Sequence, residues 1–128
     1  GGVKIKEFPI CTVHIAGKEV AYSGGGYFRF FPLWFVKKEM KNSLYAMTYF
    51  HIDDLIPESG RMLTKKEFED YFKESGTFFN RYKRHIKSNL GKKNAFNKMS
   101  KLITAYQFQS LKSADKLIEW KNAPVVEL

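Results

Sequence analysis

Residues Ile10-Cys11-Thr12-Val13-His14-Ile15 are β-branched and roughly alternating. Ala16-Gly17-Lys18 supplies a turn, and Glu19-Val20-Ala21-Tyr22 returns. The pattern predicts a β-hairpin. Three consecutive glycines, Gly24 to Gly26, predict a break in regular structure, because glycine reaches backbone conformations closed to other residues. Pro32 suits the first turn of a helix, where its missing N–H leaves nothing unsatisfied. Leu33, Val36 and Met40 share one face of that helix, and Asn42-Ser43 ends it. Tyr45 to His51 is apolar at odd and even positions alike. That is the pattern of a strand covered on both faces, as in a parallel sheet or barrel.

Beyond Asp53 the chain turns polar, and Pro57 and Gly60 mark a loop to Arg61. Thr64 and Glu67 have the spacing of a capping box for a helix to about Glu74, with Phe68, Tyr71 and Phe72 inward. Gly76 interrupts, and Phe78 to Ser88 fits either regular form. A second amphipathic helix is predicted over Lys92 to Tyr106, with Phe96, Met99, Leu102, Ile103 and Tyr106 on one side. Gln107 to Leu111 reads as a short strand. Ser113 caps a last helix through Trp120, ended before Pro124. Residues 1–62 thus hold hairpin, glycine segment, helix and buried strand, and residues 63–128 form a basic, mainly helical extension within one compact unit.

Charge changes the picture more than composition does. Ser75 to Ala114 contains no acidic residue but nine basic ones: Arg81, Lys83, Arg84, Lys87, Lys92, Lys93, Lys98, Lys101 and Lys112. They account for the whole net charge of +9, since elsewhere thirteen basic and thirteen acidic residues cancel. Such a stretch attracts nucleic acid, anionic glycans or acidic lipid headgroups. Its blander reading is a solvated face with snorkelling stems. The longest apolar run, Phe30 to Val36, falls far short of the ~20 residues that cross a bilayer. Cys11 is the only cysteine, which excludes an internal disulfide framework and fits a reducing compartment. The opening Gly1-Gly2, without methionine, is expected of a piece cut from a longer protein or of a cloning remnant. Whether the protein is cytoplasmic or associated with the cell envelope is left open.

Candidate chemistry gathers at two places. His51 ends the most buried predicted strand, with Asp53 and Asp54 directly after it, and sites in parallel sheets form at the carboxyl ends of strands. An imidazole there serves as a general acid or base; the alternative is a histidine hydrogen-bonded to backbone. Gly24-Gly25-Gly26-Tyr27-Phe28-Arg29 lacks the Gly-Lys-Ser/Thr of a phosphate loop and the spaced glycines of a dinucleotide turn. It is expected to lay Tyr27 and Arg29 along a groove, with Gly25 and Gly26 allowing close approach, or to make a tight packed turn. Cys11, His14 and His85 have no metal-ligand spacing.

On these residues the chain resembles the C-terminal part of NodB-type polysaccharide deacetylases, in particular bacterial members with an extended C-terminal region associated with capsule or exopolysaccharide genes. The likeness runs from Glu7-Phe8-Pro9 to Ala114-Asp115. It is sharpest at Gly24-Gly25-Gly26-Tyr27-Phe28-Arg29 with Pro32, and at Thr48-Tyr49-Phe50-His51. The resemblance implies a distorted (β/α) barrel that removes N- or O-acetyl groups from sugars with a divalent metal, zinc by expectation. It also implies an aspartate and a His-x-x-x-His segment as metal ligands, a second aspartate as base, and a late-strand histidine that protonates the leaving group. Only that last group has a counterpart here, His51. Tyr49 replaces the usual leucine, and Ile52-Asp53-Asp54 replaces a proline-containing continuation.

The expected fold is therefore an α+β or α/β fragment: the C-terminal portion of a barrel with a hairpin, one buried strand and a helical appendage. The expected function is a part of a carbohydrate deacetylase that is catalytically incomplete alone and holds no cofactor itself. Its substrate contacts are placed at Gly25, Gly26, Tyr27, Arg29 and Asp53. Its partners are an acetylated poly- or oligosaccharide and a missing N-terminal catalytic half. The rival expectations are a small basic module for nucleic acid or an anionic polymer, using residues 81–101, and a structural appendage that pairs subunits in a homo-oligomer.

Overall fold

The computed structural model describes residues 5–125. Strands β1 (Thr12–Ile15) and β2 (Lys18–Ala21) pair antiparallel, with Thr12 opposite Ala21 and Ile15 opposite Lys18. Ala16 and Gly17 between them take positive φ, the twist that a two-residue hairpin turn needs. The glycine segment does not interrupt regular structure as expected. It opens a helix: Gly24 is the N-cap of α1 (Gly25–Phe30). Pro32 then precedes α2 (Leu33–Asn42) as its N-cap, one position earlier than expected, and its carbonyl accepts from Phe35 and Val36.

Tyr45 to His51 is not a strand of any sheet here. Among the described residues the only sheet is the two-stranded hairpin. His51 caps the short helix α3 (Ile52–Leu55). Helix α4 (Lys65–Phe72) has the predicted capping box and buries Phe68, but it stops at Lys73 in the left-handed conformation. Tyr71, expected inward, is 78% exposed. Helix α5 (Phe78–Asn89) settles the ambiguous segment, with Thr77 Oγ1 accepting from the Asn80 N–H at 3.2 Å.

Helix α6 (Lys92–Ala105) packs on α1, α2 and α3 and so ties the second half of the chain to the first. Its inward line is Lys92, Ala95, Met99, Leu102 and Tyr106, a helical spacing. Phe96 and Ile103, expected on that line, are 59% and 52% exposed. The helix is rolled so that Lys92 and Lys98 reach partners on the first half, which periodicity cannot register. Helix α7 (Leu111–Leu117) is capped by Ser110, not Ser113, and a single 3₁₀ turn follows at Trp120–Asn122. The expected strand at Gln107–Leu111 does not form.

One small core results. Tyr22, Phe28, Val36, Met40 and Leu102 are buried together, with Phe31, Leu33, Phe35, Ala46, Phe50 and Met99 against them. Phe28 meets Phe50 edge-on at 5.0 Å between centroids. Burial of each such side chain contributes roughly 1.5–3 kcal/mol. The Tyr22 hydroxyl lies 3.1 Å from Ser43 Oγ, and burial raises its pKa.

The capping box of α4 gives a pH test. The Arg61 guanidinium, then the Thr64 N–H and hydroxyl, lower the Glu67 carboxyl from 4.5 to about 2. The folded value lies below the unfolded one, so this contribution is whole above about pH 4.5 and lost as pH falls through about 2. Glu67→Gln is expected to remove acid sensitivity in that window, read as Tm against pH.

Candidate functional site

The Tyr45–His51 segment is held from one side only. The Cys11 thiol donates to the Tyr45 carbonyl (3.4 Å), and the Met47 N–H donates back to Cys11 Sγ (3.2 Å). Ser23 Oγ donates to the Met47 carbonyl at 2.6 Å, and the Gly25 N–H donates to the Tyr49 carbonyl at 2.8 Å. These bonds fall on every second residue, as a strand's do. The N–H and C=O groups of the alternating residues, Ala46, Thr48 and Phe50, have no hydrogen-bond partner among the described residues. A paired edge is followed by an open one.

Glycine is required for that approach. A Cβ on Gly24 would stand 2.6 Å from the Tyr49 carbonyl oxygen and 2.9 Å from its nitrogen. Gly25 adds a positive φ of 55° beneath the Tyr49 hydroxyl. The glycines therefore serve to seat the segment that ends in His51.

His51 is exposed. Its ring meets the Tyr49 ring edge-on at 5.9 Å, and its backbone N–H donates to Asp54 Oδ2 at 3.2 Å. An open apolar groove of about 550 Å³ starts at Ile52, the next residue, and runs along Leu55, Ile56, Pro57 and Phe96. Asp53 keeps a mostly exposed side chain, but its Oδ1 accepts from the buried Lys92 ammonium at 2.9 Å. His51, Gly25 and Asp53 are thus brought to one region, with Tyr49 between the first two.

Arg29 corrects the expectation. It does not lie along a groove: it is 9% exposed. Its Nη1 donates to the Ser88 carbonyl at 2.6 Å and its Nη2 to the Lys87 carbonyl at 3.4 Å, closing the C-terminal turn of α5. Its Nε lies 3.5 Å from Asp54 Oδ1. Gly26 sits over this guanidinium, where a Cβ would come within 3.1 Å of Nη2. Tyr27 is exposed but faces α5, with the Lys87 ammonium 6.0 Å from its ring. Gly26, Tyr27 and Arg29 therefore do not join His51.

Two lysines of the basic stretch also work inside the fold. Lys98 donates to the carbonyls of Phe28 (2.7 Å), Arg29 (2.9 Å) and Phe31 (2.8 Å), capping the C-terminal end of α1. Burial lowers its pKa. Sequence reasoning missed Lys92, Lys98 and Asp54 as internal partners. Only Asp54 left a signal, an acidic side chain three residues into a helix capped by His51.

The divalent metal that the resemblance implies needs a converging set of ligands. No group of three His, Cys, Asp or Glu side chains converges among the described residues. The carboxylates near His51 are already held, Asp54 by Arg29 and Asp53 by Lys92.

Compared with known families, residues 1–116 match the one described as Domain of unknown function (DUF3473). The chain belongs to this family. The match takes in every element of the DUF3473 domain from the hairpin to α6, with the glycine segment, His51 and the basic stretch. No curated protein and no solved structure matches the chain. No helix among the described residues is long and apolar enough to cross a membrane.

Proposed function

We propose that this DUF3473 chain is the C-terminal portion of a polysaccharide deacetylase and supplies the proton donor of a site completed by an upstream catalytic half. The observation that carries the reading is the half-paired segment Tyr45–Phe50, which ends in an exposed imidazole. Unpaired N–H and C=O groups on alternate residues offer a ready edge to another strand. The segment is apolar on both faces, as suits a sheet covered on both sides. The partial barrel belongs to that completed state.

In it, the His51 ring donates a proton to the departing sugar amine or alkoxide as the acetyl group leaves. Tyr49 and the Gly24–Gly25 turn fix where the ring stands, and the Asp54 carboxylate anchors its backbone. Residues for metal binding and for the base lie in the upstream half, and the substrate is an acetylated poly- or oligosaccharide. The rival reading as a basic binding module loses weight, since Lys92 and Lys98 are spent on Asp53 and on the end of α1.

Acetate release tests the reading. The 128 residues alone, with zinc or cobalt added, are expected to release none from N- or O-acetylated oligosaccharides. The longer protein carrying the chain is expected to release it. Turnover by the chain alone, or none by the longer protein across acetylated glycans, overturns the proposal.

A further inference from the structure

Helix α5 is inside out. None of its residues is buried, and the side it turns to the protein is polar. Arg81 Nη1 donates to the Leu63 carbonyl at 3.0 Å, and Arg84 pairs with Glu74 and lies over the Phe72 ring. The apolar residues point the other way: Phe78 is 64% exposed, Phe79 70%, Tyr82 49% and Ile86 44%. At helical spacing these four fall within one stripe ~100° wide, the width that amphipathic helices ordinarily turn to a core. Phe78 and Tyr82 stack upon each other along it, at 5.9 Å.

The residues next round the helix are Lys83 and Lys87, both exposed and without an acidic partner among the described residues. Beyond Lys87 lies Tyr27, 44% exposed and edge-on to Phe30. An apolar stripe with lysines along one margin, in a stretch free of acidic residues, has the charge and shape of a helix lying in a bilayer interface. We infer that α5 seats the protein on an anionic lipid surface, with Phe78, Phe79, Tyr82 and Ile86 dipping between headgroups and Lys83 and Lys87 on the phosphates. Lipid fits better than a nucleic acid, which would engage the lysines and leave Ile86 and Phe79 in water. This inference does not depend on the deacetylase reading.

The test uses the full-length protein and vesicles of pure phosphatidylcholine, or of equal parts phosphatidylcholine and phosphatidylglycerol. Sedimentation is expected with the mixed vesicles and not with the neutral ones, and it should weaken as salt rises. Lys83→Gln and Lys87→Gln are each expected to lower the partition coefficient about fivefold, the share of one cation near a charged surface. Phe79→Trp places an indole at an exposed position. Its emission is expected to shift to the blue and to be quenched by brominated acyl chains, against the background of Trp34 and Trp120. Equal binding to both vesicles, no binding, or an indole unmoved by vesicles overturns the inference. So does retention by an acidic polysaccharide alone, which would give the lysines to a polymer.

Discussion

On the proposed deacetylase reading, asparagine in place of His51 in the longer protein is expected to lower kcat by ~10²–10⁴-fold, the usual contribution of a positioned proton donor. The effect should fall on kcat, with KM little changed, because a leaving-group proton is transferred only in the transition state. Stability should hold. The ring is exposed and touches the edge of Tyr49, while the bonds that fix the segment come from backbone groups and from Cys11, Ser23 and Gly25. Added imidazole is expected to restore part of the rate. Steady-state acetate release and a thermal melt of the same preparation decide it. An unchanged kcat, or a loss of rate that only follows a loss of Tm, removes His51 from the chemistry.

Local order is legible in the residues, whereas partnership is not. The hairpin, the capping box at Thr64 and Glu67, and the end of α2 at Asn42 each rest on contacts within a few residues, where spacing carries the information. Tyr45–His51 is not a sheet strand here, for a different reason. Its apolar pattern carries no information about hydrogen-bond partners, and the described residues supply them on one side alone. Spacing puts Phe96 and Ile103 on one side of α6 with Met99, Leu102 and Tyr106. The helix instead turned Lys92 and Lys98 toward Asp53 and the carbonyls ending α1. Periodicity ranks side chains by apolarity, so it is blind to a lysine that buries its stem to satisfy three carbonyls.

The same blindness explains the candidate site. Gly24 and Gly25 are set apart by the local backbone: a Cβ on Gly24 would stand 2.6 Å from the Tyr49 carbonyl oxygen, and Gly25 holds a positive φ of 55°. For the neighbouring Arg29 the glycine segment is compatible with a groove or with a tight packed turn. Its true surroundings, Ser88 and Asp54, lie 59 and 25 positions away, beyond any local signal. The basic stretch likewise divides in three dimensions into cations that build the fold and cations that face outward. Lys92 and Lys98 belong to the first group, and Lys83 and Lys87 to the second.

Arg29→Ala is expected to destabilise the protein by about 3–5 kcal/mol, the range for breaking a buried ion pair from one side. Three losses combine. Asp54, 8% exposed, loses the guanidinium beside it, and the Ser88 and Lys87 carbonyls at the end of α5 lose their donor. Asp54 Oδ2 also anchors the His51 N–H, so the start of α3 loosens with it. A loss of this size is a large part of the ~5–15 kcal/mol that holds a typical domain folded. Urea unfolding of the parent, Arg29→Ala, Asp54→Asn and the double variant measures it as a cycle. The double variant is expected to be more stable than the sum of the single losses predicts, because removing the carboxylate's charge relieves what the missing guanidinium left behind. A cost under about 1 kcal/mol for Arg29→Ala, in the range of a surface pair, would show that the guanidinium is not the staple between α1, α3 and α5.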